Sequence, residues 1–173
     1  GTAKYSGNFT PSTTPLATNT TNQVLLFAAS NSFADINTAT TAKTFTITGS
    51  PSVQAFSPFA PTAAYSAATV GGSAYFDGSG DYLTVPDNAG FDLAASDFVL
   101  EAWAYSTSSS NFKMVVGQWG NAGNLSYTLR QNASKWVFTY TTNGTTEVTL
   151  TGATTQQLNA WAHLAVVRTG NTL

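Results

Sequence analysis

Residues Gly71–Tyr105 read GGSAYFDGSGDYLTVPDNAGFDLAASDFVLEAWAY, two alternating apolar runs joined through turns rich in Gly, Asp and Asn. Tyr82 and Thr84, and then Phe98, Leu100, Ala102 and Ala104, fall at spacing two, which sends each set to one face of a strand. Asp77-Gly78-Ser79-Gly80, between the first pair of runs, is a tight hairpin signal, because Gly tolerates positive φ. A chain written this way builds a sheet and leaves any chemistry to its loops.

Composition says the same of the whole chain. It has 173 residues, enough for one domain, and only 8% of them are charged. Solvent-facing helix positions favour Glu, Lys and Arg, which are scarce here. Thr fills about one position in six, and Val, Tyr, Phe and Trp are well used, which is strand composition. A formal net charge of −2, with Lys and Arg scattered singly, gives no electrostatic footprint for nucleic acid. No apolar run approaches the ~18 residues of a membrane span, so no membrane insertion is expected. The absence of Cys excludes disulfides and thiolate metal sites.

Outward from the opening stretch, residues 1–22 carry two prolines among Thr and Asn and read as an extended arm or linker. Residues 23–173 read as the folded domain. Gln23–Ser30 is the first strongly apolar run and an expected buried strand, and Lys43–Thr48 alternates as a second. Ser57-Pro58-Phe59-Ala60-Pro61 breaks the sheet, since Pro cannot donate to a ladder. Phe112–Trp119, Leu125–Arg130, Trp136–Thr141, Thr145–Thr151 and Trp161–Arg168 follow as strands. Asn121–Asn124 and Asn143-Gly144 are the turns among them. About ten short strands at this spacing predict an all-β, two-sheet antiparallel sandwich.

Three segments carry a family resemblance: G-G-S-x-Y-F-D-G-S-G-D-Y-L (Gly71–Leu83), D-F-x-x-E-A-W-x-Y (Asp97–Tyr105) and W-x-H-L-A-V-V-R (Trp161–Arg168). Together they resemble the laminin-G-like, concanavalin A-type jelly roll, in particular the repeats of structural and tail-fibre proteins of tailed marine phages. Gly1–Pro11 is similar to the closing segment of one such repeat as it runs into the next. In the family, further strands follow the W-x-H-x-A-V-x-R strand, whereas this sequence ends at Gly170–Leu173. The expectation is a jelly roll lacking its C-terminal strands, either a window cut from a longer repeated polypeptide or a fold completed by strand addition from another chain.

The resemblance implies a virion structural or adhesion module, at the virion surface or extracellular, whose partners are other copies, other virion proteins and host-surface glycans. A purely architectural unit and a secreted bacterial carbohydrate-binding module are the alternatives. Rigid amphipathic rings are the side chains on which sugars stack, so Trp119 and Tyr105, both beside loops, are the candidate ligand-binding residues. Trp103, Trp136 and Trp161 lie within strands and read as core. Asp77 and Asp81 are the candidate metal ligands, with Ca²⁺ the cation implied by oxygen-rich rims in relatives. The same carboxylates also fit turn residues that bond the backbone two positions on.

No enzyme is expected. Glycosidases use two carboxylates about 5–9 Å apart, and Glu101 is followed by Ala102, Trp103, Ala104 and Tyr105 with no second acid. A site shared between Glu101 and Glu147 is left open by sequence alone. His163, the single histidine, shares a face with Trp161, Ala165 and Val167 and is expected to hydrogen-bond within the sandwich.

Overall fold

The structure, a computed structural model, describes residues 4–5, 7–18, 24–25, 27–29, 32–59, 71–93, 96–120, 123 and 125–173. Gln23, Leu26 and Ser30 of the first expected strand lie outside these, as do Ala60 and Pro61 of the break. So do Asn121, Ala122 and Asn124 of one expected turn. The chain divides into two compact units, Thr10–Gly90 and a second made of Gly1–Phe9 with Phe91–Leu173. Among the described residues there is no α-helix, only a 3₁₀ turn at Ala89–Phe91.

Among its described residues, the Thr10–Gly90 unit contains three short antiparallel pairs. β1 (Phe27–Ala29) pairs with β2 (Phe33–Asp35), an element the sequence reading missed. Of the expected strand Lys43–Thr48, only β3 (Thr46–Thr48) forms. The Lys43 N–H goes instead to the Asp35 carboxylate at 2.7 Å, which takes it out of any ladder. β4 (Ser52–Gln54) pairs with β5 (Ser73–Tyr75), and β3 pairs with β6 (Tyr82–Thr84).

These last two pairs correct the hairpin expected at Asp77–Gly80. β5 and β6 flank that turn but do not pair with each other. β3–β4 and β5–β6 instead run as one interrupted antiparallel ribbon, in which Gly49–Pro51 faces the longer stretch Phe76–Asp81. The surplus residues loop out, and positive φ at Gly78 and Gly80 (83° and 79°) allows it. The same permissive residues that suit a hairpin here serve a bulged corner.

The second unit is a two-layer sandwich. β7 (Phe98–Tyr105) and β12 (Trp161–Arg168) form one sheet in an unbroken eight-pair register, Trp161↔Tyr105 to Arg168↔Phe98. β8 (Lys113–Trp119), β9 (Leu125–Asn132), β10 (Lys135–Thr141) and β11 (Glu147–Thr151) form the other, in the order β11-β10-β9-β8. The core lies between them: Tyr127, Leu129 and Phe138 from one layer meet Leu164 and Val166 from the other, flanked by Phe98, Leu100 and Ala104. Period-two alternation puts these side chains inward, as the sequence predicts. A bulge between Met114 and Val116 turns two consecutive residues, Val115 and Val116, toward the core. The all-β, antiparallel sandwich expected from patterning is the fold observed.

Candidate functional site

With Leu100, Ala104, Ala162 and Leu164 turned inward, alternation leaves Glu101, Trp103 and Tyr105 on the outer face of the β7–β12 sheet, beside Trp161 and His163. Trp103 and Trp161 are therefore not inter-sheet core, as their strand positions suggested. Trp136, whose strand pairs in the other layer, does pack on the core. Tyr105 meets Trp161 edge to face with centroids 5.5 Å apart, and Trp103 lies 5.1 Å from the His163 ring. This outer face is an aromatic surface with one carboxylate in it.

That carboxylate is held from three sides. Glu101 Oε1 accepts a hydrogen bond from Lys4 Nζ at 2.8 Å, and Oε2 accepts one from the Tyr5 hydroxyl at 3.1 Å. His163 Nε2 stands 3.3 Å from Oε2, so the expected histidine partner exists, but on the outer face rather than in the core. Phe9 packs its ring on the His163 edge at 5.8 Å and stacks on Tyr5 at 3.6 Å. Burial pulls the Lys4 ammonium down, but its hydrogen bonds to Glu101 and Tyr5 and their charges outweigh this and leave its pKa raised. Lys4, Tyr5 and Phe9 were invisible to a reading of the N-terminal segment as an arm, because no local pattern announces a partner almost a hundred residues away.

Glu147 cannot join Glu101. Tyr140 faces the core, so its neighbour Thr141 and the paired Glu147 face outward from β10 and β11. The two glutamates thus point away from each other, on opposite outer faces of the sandwich.

The other candidates separate as well. Tyr105 ends β7, and the chain re-enters the second sheet at Lys113, so Tyr105 stands where β8 begins. Trp119 closes β8 at the far end, roughly 20 Å along the strand. Neither ring supports the other. Asp81 Oδ1 accepts the Ser50 N–H at 2.7 Å and Oδ2 the Asp77 N–H at 3.2 Å, while Asp77 Oδ1 accepts the Ser79 N–H at 2.6 Å. Both carboxylates thus serve the bulged corner. Among the described residues, no three His, Cys, Asp or Glu side chains converge as a metal group would need. An open groove of ≈ 360 Å³ between β12 and β10–β11 is lined largely by Trp136, Phe138, Leu150, Val166 and Leu173, an apolar continuation of the core.

A family model described as the concanavalin A-like lectin/glucanases superfamily, of laminin-G type, matches residues 76–173, more than half of the chain. The chain belongs to this superfamily. The matched span contains every strand of the sandwich unit, β7 to β12, together with β6. No curated protein and no solved structure matches the chain. The superfamily joins sugar-binding and sugar-cleaving proteins on one scaffold, so the side chains must decide between them.

Proposed function

We propose that this concanavalin A-like domain is a non-catalytic carbohydrate-binding module that acts in attachment, as part of a tail fibre or related appendage at a virion surface. The observation that carries it is the state of Glu101. Sugar cleavage on this scaffold calls for a second carboxylate about 5–9 Å away across the scissile bond. The neighbours of Glu101 are a lysine, a phenol and an imidazole. Its charge holds Lys4 and Tyr5 to the sheet, while the rings of Tyr105 and Trp119 close strands at the two ends of the sandwich, where sugars can stack. The virion setting rests on the resemblance of Gly71–Leu83, Asp97–Tyr105 and Trp161–Arg168 to phage laminin-G-like repeats. Weak sites repeated along an appendage would act together through high effective concentration.

A glycan array probed with the full chain, run beside a reducing-sugar release assay, tests the reading. Expected are bound glycans, weakened by Tyr105→Ala or Trp119→Ala, and no released sugar. Sugar release abolished by Glu101→Gln would make the protein a glucanase. Silence on the array, with the chain found by mass spectrometry in purified virions, would make it architectural.

A further inference from the structure

Lys4, Tyr5 and Phe9 form a plug on the outer face of the β7–β12 sheet. Lys4 Nζ lies 4.8 Å over the Tyr5 ring, and Tyr5 stacks on Phe9 with planes 3° apart. These contacts hold the plug in shape by itself. The socket belongs to the sheet alone: Glu101 from β7 takes Lys4 and Tyr5, and His163 from β12, opposite Trp103 in the register, takes Phe9. With the plug seated, the Glu101 and His163 side chains are only 10% and 9% exposed, whereas that of Lys4 is 49% exposed. The plug thus sits on the solvent side, where it can enter or leave without opening the sandwich.

Its attachment is of an exchangeable kind. Between described residues, no backbone–backbone hydrogen bond joins Lys4, Tyr5 or Phe9 to the sheet. Side chains make the whole contact, through one carboxylate and one imidazole. In sequence, the separate compact unit Thr10–Gly90 stands between the plug and the domain that receives it. The contacts are therefore the same whether plug and socket belong to one chain or two. Only the covalent link favours the chain's own plug, by an effective concentration that is about millimolar for short linkers and lower for long ones.

We propose that the outer face of β7–β12 is an assembly surface, on which the Glu101–His163 socket receives Lys4, Tyr5 and Phe9 of a second copy of this chain. Isolated copies at low concentration keep their own plugs. Copies crowded along one appendage reach the local concentration at which plugs exchange, as in domain swapping. The proposal adds a partner to the sugar-binding reading and does not rest on it, since Tyr105 and Trp119 take no part in the clamp.

The test is sedimentation of the full chain carrying charge reversals. Lys4→Glu and Glu101→Lys each set like charges against each other within the chain's own clamp, and equally between identical copies. When the two variants are mixed, each plug finds an opposite charge only in the other variant. Each variant alone is expected to run as a monomer, and the equimolar mixture at least to double in mass. Adding Tyr5→Ala and Phe9→Ala to both should abolish the doubling. A mixture that stays monomeric overturns the proposal. Association of either variant alone, or doubling that survives loss of both rings, also overturns it, because another surface would then be responsible. Should Glu101→Lys lose its cooperative melt, Glu101→Gln takes its place, mixed with a chain carrying Tyr5→Ala and Phe9→Ala. The doubling or its absence then decides in the same way.

Discussion

Asp81 and Ser50 are joined across an interrupted strand pair, with Asp81 Oδ1 accepting the Ser50 backbone N–H at 2.7 Å. The bond closes the corner where Gly49–Pro51 faces Phe76–Asp81. A ladder cannot continue through such a mismatch, so a side chain takes over from the backbone.

Replacing Asp81 with Ala should therefore lower stability by about 1–2 kcal/mol in urea denaturation, because two backbone donors lose their acceptor. Gly49→Ala should cost at least about 1 kcal/mol, since Gly49 sits at φ 79° and a Cβ there would run into Asp81 Oδ1. With the carboxylates spent on the corner, millimolar Ca²⁺ or chelator should move the melting temperature by less than about 1 °C. A rise of several degrees with Ca²⁺, lost in Asp77→Ala, would make these aspartates ligands.

Gln131 should be the most sensitive polar position in the sandwich. It is 1% exposed, and its amide is fully engaged: Oε1 accepts from Ser106 Oγ and Gln156 Nε2, and Nε2 donates to the carbonyls of Ser108 and Ser110. It thereby ties the segment following β7 to the end of β9. Gln131→Leu should cost about 2–4 kcal/mol, because the groups it serves lose their partners. Hydrogen exchange should show the loss concentrated at residues 106–110, whereas a uniform loss would argue against this pinning.

Ala133→Gly should stabilise. Asn132 pairs with Lys135, so Ala133 and Ser134 form a two-residue hairpin turn with Ala133 at φ 52°. Glycine suits that first turn position. The expected gain is about 0.5–1 kcal/mol in a thermal or urea melt, the relief of strain exceeding the added freedom of the unfolded chain. A loss would mean that the alanine methyl makes a contact worth more than the strain.

Stability should fall in strongly alkaline solution. Burial, helped by the charge of Asp92, raises the Tyr127 phenol above its ordinary range, and the Lys4 ammonium is also raised. Both groups hold their protons more tightly when folded, so their contribution is intact below the unfolded values. It is lost as pH climbs from there through the raised ones. Denaturation midpoints should be unaffected by these two groups from neutral pH to about pH 9 and fall beyond about pH 10. Tyr127→Phe should flatten part of that fall, and an unchanged slope would assign it elsewhere.

Much of the sandwich was legible because its strands are written in alternation. Trp161–Arg168 was read with the bounds of β12, and β8 and β10 were each placed to within one residue. The Asn143-Gly144 turn does join β10 to β11, with Asn143 Oδ1 collecting the N–H groups of Thr145 and Thr146. The β9–β10 turn was missed because Ala133-Ser134 lacks the residues such turns prefer. β2 and β4 were missed because three-residue strands are too short to show a period.

The candidate sites were less legible, for a different reason. Spacing two assigns a residue to a face but does not say what comes to lie over that face. Glu101 was readable as a lone strand carboxylate; that Lys4 and Tyr5 reach it is a contact across almost the whole first unit of sequence. Tyr105 and Trp119 were readable as loop-flanking rings, yet only the crossing from β7 to β8 puts them at opposite ends.

The sequence by itself determined the layered antiparallel sheets, since alternating apolar residues with few charges can be buried only in that way. Tertiary structure alone decided which polar groups meet: the bulged corner at Asp81 and the clamp on Glu101. Local pattern fixes a side chain's direction, whereas its partners come from distant segments brought together by folding.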